Sequence, residues 1–183
     1  MMNCWSDSNY TYDNIFCEFI EKNIKLIDNN EWEDFISKVE IEFASWQAAA
    51  IYQMLESADI NILNDLHYIP HSFYCERQDL QEYHVPKHIL QIDNSAFDRC
   101  TELKSIHLPK SIVSIGLNAF HYCDNLCDVY YDGTYDEYCN IEFRGFHANP
   151  IQSEKQIVRL HCSDKTVTYP PISNGDDDFD LPF

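Results

Sequence analysis

Glycine is scarce in this chain, basic residues are far outnumbered by acidic ones, and no long apolar run occurs. With four glycines in 183 residues, there is no Gly-rich loop to cradle a phosphate. There is also no Gly-x-Ser-x-Gly nucleophile elbow and no His-Glu-x-x-His zinc helix. Acidic pairs such as Asp177/Asp178 lie in a terminal stretch too mobile to hold a catalytic geometry. The expectation is a protein that is not an enzyme, with no cofactor and no small-molecule substrate. No run of eighteen apolar residues exists, and the start from Met1 to Asp7 lacks the basic flank of a signal peptide. A cytoplasmic location with no membrane partner is therefore expected.

Cys-x-x-Cys pairs are also missing, although there are eight cysteines. Cys100 and Cys123 fall at periodic positions where a small apolar side chain fits inside a turn. Cys4, Cys17, Cys75, Cys127, Cys139 and Cys162 are scattered. His121, Cys123 and Cys127 do not have the paired spacings of a zinc site. Reduced thiols and no metal are expected.

Positive charge is the remaining shortage: 12 Lys and Arg against 31 Asp and Glu, a net charge of −19. Residues 1–69 carry 13 acids against 3 bases, residues 70–126 carry 7 against 5, residues 127–172 carry 7 against 4, and the last eleven residues carry 4 acids alone. Duplex binding depends on Lys and Arg, so this balance argues against it and suits basic partners.

What is present is repetition. Leu80-Gln81-Glu82-Tyr83-His84-Val85-Pro86-Lys87 returns as Leu103-Lys104-Ser105-Ile106-His107-Leu108-Pro109-Lys110, 23 residues on. Ile92 matches Ile115, Ala96-Phe97 matches Ala119-Phe120, and Cys100 matches Cys123. Leu126 to Tyr131 opens a third copy in register. A fixed period in the low twenties predicts a solenoid whose units bury their apolar sides against one another. Leu-x-x-Ile-x-Leu-Pro, followed by Val-x-x-Ile-Gly-x-x-Ala-Phe-x-x-Cys, resembles the BspA-type leucine-rich repeats. Tyr68 to Cys75 looks like a degenerate first copy. The layout, with Tyr131-x-Gly133-Thr134-x-x-Glu137 after the repeats, is similar to small repeat proteins of bacteriophages and bacteria. That resemblance implies an α/β fold, a short leucine-rich-repeat solenoid of period 23.

Outside the repeats, helices are expected before Asp65. Asp13 would cap a first helix with Phe16, Phe19, Ile20, Ile24 and Ile27 on one face, broken at Asp28-Asn29-Asn30. A second runs over 31–39 with Trp32, Phe35, Ile36 and Val39 inward. A third runs over 43–55 through Trp46, Ala50 and Met54. Each is too short to stand alone, so residues 1–66 read as a helical cap on repeats over 67–131. Thr134-x-x-Glu137 has capping-box form and opens a helix through Ile141, and 145–154 reads as a loop. Strands over 157–162 and 166–169 complete a C-terminal helix and hairpin cap over 132–169. Residues 170–183 form a flexible acidic tail.

Two stretches are candidates for binding. Strand alternation points Leu103, Ile106 and Leu108 inward. It leaves an exposed column of His84, His107 and Tyr130 beside one of Glu82, Ser105 and Asp128, with Lys87 and Lys110 as a further pair. The other candidate is the ending Asp176-Asp177-Asp178-Phe179-Asp180-Leu181-Pro182-Phe183. It resembles the tip of bacterial single-stranded-DNA-binding proteins, acidic residues followed by Asp-Ile-Pro-Phe. The resemblance implies a docking peptide for replication, recombination and repair enzymes. Phe183 offers a ring and a free carboxylate to a pocket with a basic rim, Pro182 stiffens the approach, and the acids speed encounter. The leading expectation is a non-enzymatic, phage-encoded interaction protein docking by this tip. Two alternatives stand beside it: a replication protein binding single-stranded DNA through the ring and lysine columns, and an acidic DNA mimic that occupies a nuclease or defence protein.

Overall fold

The computed structural model describes residues 12–152 and 155–169. Four helices come first: α1 (Tyr12–Lys22), α2 (Ile24–Asp28), α3 (Trp32–Glu42) and α4 (Ser45–Ser57). Phe16, Phe19, Ile20 and Ile27 are buried as their spacing predicts, but Ile24 is 42% exposed. The irregularity is at Asn23, whose φ of −108° and ψ of 12° depart from the helix between α1 and α2. Its side-chain amide also donates to the Phe19 carbonyl at 2.9 Å. Helix α1 begins at Tyr12, so Asp13 lies within its first turn instead of preceding it. Helix α3 buries Trp32, Phe35, Ile36 and Val39 as expected.

Helix α4 corrects the expected stripe. Trp46 is 45% exposed, Ala50 and Met54 pack half-buried against the core, and the fully buried face is Ala48, Ala49, Ile51, Tyr52 and Leu55. The helix starts at Ser45, with the Ala44 N–H donating to Gln47 Oε1 at 3.0 Å. Tyr52 stacks on Phe73, with centroids 4.7 Å apart. That contact turns the alanine side of α4 towards the repeats.

A 3₁₀ turn (Ile62–Asn64) leads into short strands: β1 (Tyr68–Ile69), β2 (Glu82–His84), β3 (Gln91–Ile92), β4 (Ser105–Leu108), β5 (Ser114–Ile115) and β6 (Asp128–Tyr131). Helix α5 (Tyr135–Cys139) follows, then β7 (Glu142–Phe143), β8 (Val158–His161) and β9 (Thr166–Tyr169). As far as β8 the chain passes alternately between two sheets, ordered β1-β3-β5-β7 and β2-β4-β6-β8-β9. Every pairing is parallel except β8 with β9. Ile69 lies opposite Ile92 and Ile92 opposite Ile115, while Tyr83, Ile106 and Val129 align in the other sheet. Parallel pairing continues past Tyr131, with Ile115 opposite Phe143 and Asp128 opposite Arg159, at wider spacings. Part of the expected loop over 145–154 is also built in, with Ala148, Asn149 and Ile151 buried.

The repeated core positions stack directly. Phe97 lies parallel to Tyr74 at 5.1 Å and to Phe120 at 5.3 Å. The Cys100 thiol donates to the Tyr74 carbonyl at 2.9 Å and that of Cys123 to the Phe97 carbonyl at 3.1 Å, so each copy is tied to the one before. Burial pushes the Cys100 thiol up to about 12 and that of Cys123 well above its usual value. Cys75, Cys100, Cys123, Cys127, Cys139 and Cys162 are in no disulfide.

The turns explain how a repeat protein manages with so little glycine. Ser72, Ser95 and Asn118 have φ of 58°, 53° and 57°, and Glu76, Arg99 and Tyr122 have φ of 62°, 59° and 54°. Both sets recur at the repeat spacing. Left-handed backbone costs a non-glycine residue about 1 kcal/mol. Backbone bonds between copies hold it there, Tyr74 N–H to the Ala96 carbonyl at 2.7 Å and Phe97 N–H to the Ala119 carbonyl at 2.9 Å. After β6, Thr134 and Glu137 close the expected capping box: Glu137 Oε2 accepts from the Thr134 N–H at 2.8 Å, and Thr134 Oγ1 accepts from the Glu137 N–H at 3.3 Å. Helix α5 ends at Cys139, two residues short of the expected Ile141.

Candidate functional site

Strand alternation sends Ile106, Leu108, Val129, Tyr131, Val158 and Leu160 into the core. The opposite face of β2, β4, β6 and β8 therefore carries the remaining side chains. In-register pairing places His84, His107, Tyr130 and His161 in one row and Glu82, Ser105, Asp128 and Arg159 in the next. The rings of the first row stack on one another. Centroid separations are 3.8 Å from His84 to His107, 4.3 Å from His107 to Tyr130, and 4.5 Å from Tyr130 to His161, with planes within 13° of parallel.

Carboxylates hold both ends of this row. Glu82 Oε1 lies 3.0 Å from His84 Nε2 and 3.1 Å from His107 Nε2. At the other end Asp128 accepts two bonds from Arg159, Nε to Oδ1 at 2.7 Å and Nη2 to Oδ2 at 2.6 Å, while His161 Nε2 lies 2.8 Å from Oδ1. Burial favours the neutral acid at Asp128, but Arg159 and His161 outweigh it and hold the carboxyl below its usual range. The face is thus ordered by side-chain contacts as well as by the sheet.

Both lysines of the expected column flank this face. Lys87 is exposed on a shallow groove of about 340 Å³ formed with His84, Pro86, His107, Pro109 and Asp132. Lys110 is committed elsewhere, with Nζ 2.6 Å from Glu137 Oε1. The ring column was legible from the repeat. His161 was not, because the spacing into β8 departs from 23.

A smaller cleft, about 200 Å³, lies over the turns and is lined by His121, Cys123, Asp124, His147 and Asn149 among others. His121 Nδ1 lies 3.2 Å from Asp98 Oδ1, and its ring lies 4.6 Å from that of His147. Burial raises the Asp98 carboxyl although His121 opposes the shift. The neighbouring Cys123 thiol is buried, bonded to a carbonyl and raised, the reverse of an activated nucleophile. The tip Asp176–Phe183 lies outside the described residues.

Strands and turns recurring at this spacing, with Ala-Phe and Cys at fixed places, agree with the family comparison. The family model described as the BspA type Leucine rich repeat region (6 copies) matches residues 7–127 and 46–158. The chain belongs to this family. No curated protein matches it. A solved structure that it resembles is a leucine rich cell surface protein from Faecalibacterium prausnitzii A2-165. The two are 28% identical over 43% of this chain and 21% of that one, with a TM-score of 0.42. The chain spans about a fifth of the length of that relative. Leucine-rich repeats suggest a protein-interaction role, and no catalytic family is indicated.

Proposed function

We propose that this leucine-rich-repeat chain is a non-enzymatic, phage-encoded interaction protein: a short capped solenoid acting in the cytoplasm on basic enzymes of DNA replication, recombination and repair. The observation that carries the interaction reading is the exposed row His84–His107–Tyr130–His161, a rigid surface braced by Glu82 and Asp128. Side chains already ordered before binding lose little entropy in an interface. The net charge of −19 favours a basic partner. The tip Asp180-Leu181-Pro182-Phe183 supports the choice of enzymes that accept single-strand-binding-protein tails.

The same row speaks against single-stranded DNA as the ligand. Bases bind by stacking on ring faces, and here ring faces lie against one another at 3.8–4.5 Å. Lys110 is already paired with Glu137.

The test is binding of the full chain to immobilised tail-accepting enzymes. Removing Phe183 should cost about 2 kcal/mol, roughly thirtyfold in affinity, as loss of an aromatic anchor does. A short peptide ending Asp-Leu-Pro-Phe should compete for the same pocket. If neither chain nor peptide binds any such enzyme, the reading fails.

A further inference from the structure

We propose that Glu82, His84 and His107 form a binding site for a divalent transition-metal ion of the zinc type. The three donor atoms, Glu82 Oε1, His84 Nε2 and His107 Nε2, lie within 4.8 Å of one another. The oxygen is 3.0 Å and 3.1 Å from the two nitrogens. Donors bonded to one tetrahedral zinc ion at about 2.0–2.1 Å are separated by roughly 3.3 Å, close to the oxygen–nitrogen spacings here; the His84 ring, parallel to His107 in the stack, has to turn out of it to aim its lone pair at the same ion. Two imidazoles with one carboxylate favour zinc and its first-row neighbours over calcium or magnesium, which prefer all-oxygen shells. Three protein ligands leave a fourth position to water.

The strands explain how the set assembles. Glu82 and His84 are two apart on β2 and so share a face. His107 is the parallel-sheet partner of His84 on β4. Tyr130 stacks on the far face of His107 at 4.3 Å and holds that ring's plane, the role outer contacts play around metal-binding histidines. The His84 side chain is 67% exposed on a strand at the edge of its sheet, so its ring has room to turn towards an ion.

The other end of the row is an internal comparison. Asp128 also meets a histidine, but Arg159 already supplies the positive charge there, through two bonds of 2.7 Å and 2.6 Å. Glu82 has no Lys or Arg in ion-pair contact among the described residues. A cation is supplied by the chain at one end of the row and is lacking at the other.

The experiment is titration of the purified, reduced full chain with zinc against a chromophoric chelator, repeated with cobalt(II) as a spectroscopic stand-in. One equivalent should bind, and the cobalt complex should lack a sulfur-to-metal charge-transfer band. His84→Gln, His107→Gln and Glu82→Gln should each weaken binding at least about tenfold, since even outer-shell changes cost that much. Asp124→Asn, in the cleft over the turns and away from the row, should leave it unchanged. Zinc should also raise the melting temperature of the natural chain but not of the variants, because the ion ties edge strand β2 to β4. Should His107→Gln fail to fold, the two exposed β2 positions still decide the matter. The proposal is overturned if the natural chain takes up no zinc from the chelator, if the His84→Gln/His107→Gln variant binds as tightly as the natural chain, or if the cobalt spectrum shows thiolate ligation.

Discussion

Two columns of rings climb the same repeats. Tyr74, Phe97 and Phe120 stack inside, with centroids 5.1 Å and 5.3 Å apart. His84, His107, Tyr130 and His161 stack outside, 3.8–4.5 Å apart. Both inherit their spacing from in-register backbone pairing, yet their surroundings differ. Phe97 is fully buried, so its contribution comes from surface removed from water. The outer rings keep edges in solvent, and the three histidines among them meet Glu82 or Asp128. One periodic scaffold therefore carries one column of rings in the core and one at the surface.

The sharpest way to break the comparison is to empty the inner column. Phe97→Ala should destabilise by about 3–5 kcal/mol, because stacked neighbours on both faces restrict collapse of the cavity. Denaturant unfolding measures this. A near-neutral result would mean the inner column is not what holds the copies together.

Next in size is a change to the spacing that both columns share. A Cβ on Gly116 would lie 2.6 Å from Asn94 N and 2.6 Å from Asn94 Oδ1. That carboxamide oxygen accepts from the Leu117 N–H at 2.9 Å. Gly116→Ala should cost about 1–3 kcal/mol by overpacking. Thermal or denaturant unfolding would show it, and an unchanged midpoint would mean that the copies can part there without loss.

A smaller effect separates the two ends of the outer row. The Asp128 carboxyl is lowered in the folded state, so its stabilisation is present above the unfolded value near ~3.9 and is lost as pH falls through the folded value. The stability difference between natural chain and Asp128→Asn should be below about 1 kcal/mol at neutral pH, because the Arg159 partner is itself largely in solvent. It should vanish in acid. A difference that grows on acidification would reverse the assigned sign.

Where the sequence repeated, structure was legible in it. Identical residue types at identical intervals could be assigned to inside or outside because β-strand alternation leaves two choices. That is how Leu103, Ile106 and Leu108 were placed in the core and His107 outside. In helix α4 Ala48 and Ala49 face inward with Ile51, Tyr52 and Leu55 while Trp46 does not; two small residues carry little hydrophobic signal, so the sequence pattern favours the larger Trp46. The left-handed column of Ser72, Ser95 and Asn118 carries no glycine to announce it. Glu82 was placed in an exposed column, but its convergence on two histidines depends on rotamers that no spacing reports. The strand over β8 is legible, but the place of His161 in the ring row is hidden, because the step from Tyr130 to His161 departs from the repeat spacing.

The smallest expected stability change comes from His107→Ala, which tests whether the outer row contributes to folding at all. Its side chain is 31% exposed, and its ring contacts are with other partly solvated rings. Aromatic pairs add about 0.5–1.5 kcal/mol beyond area burial, and solvent around this row places the loss at the bottom of that range. The backbone pairing of β4 with β2 and β6 does not depend on the side chain. The unfolding midpoint should therefore move far less than for Phe97→Ala. Affinity for a protein partner that docks on the row should fall all the same, because the variant opens a gap between His84 and Tyr130. If His107→Ala destabilises as much as Phe97→Ala, the outer row is part of the core. The division between a stabilising and a recognising column would then be wrong.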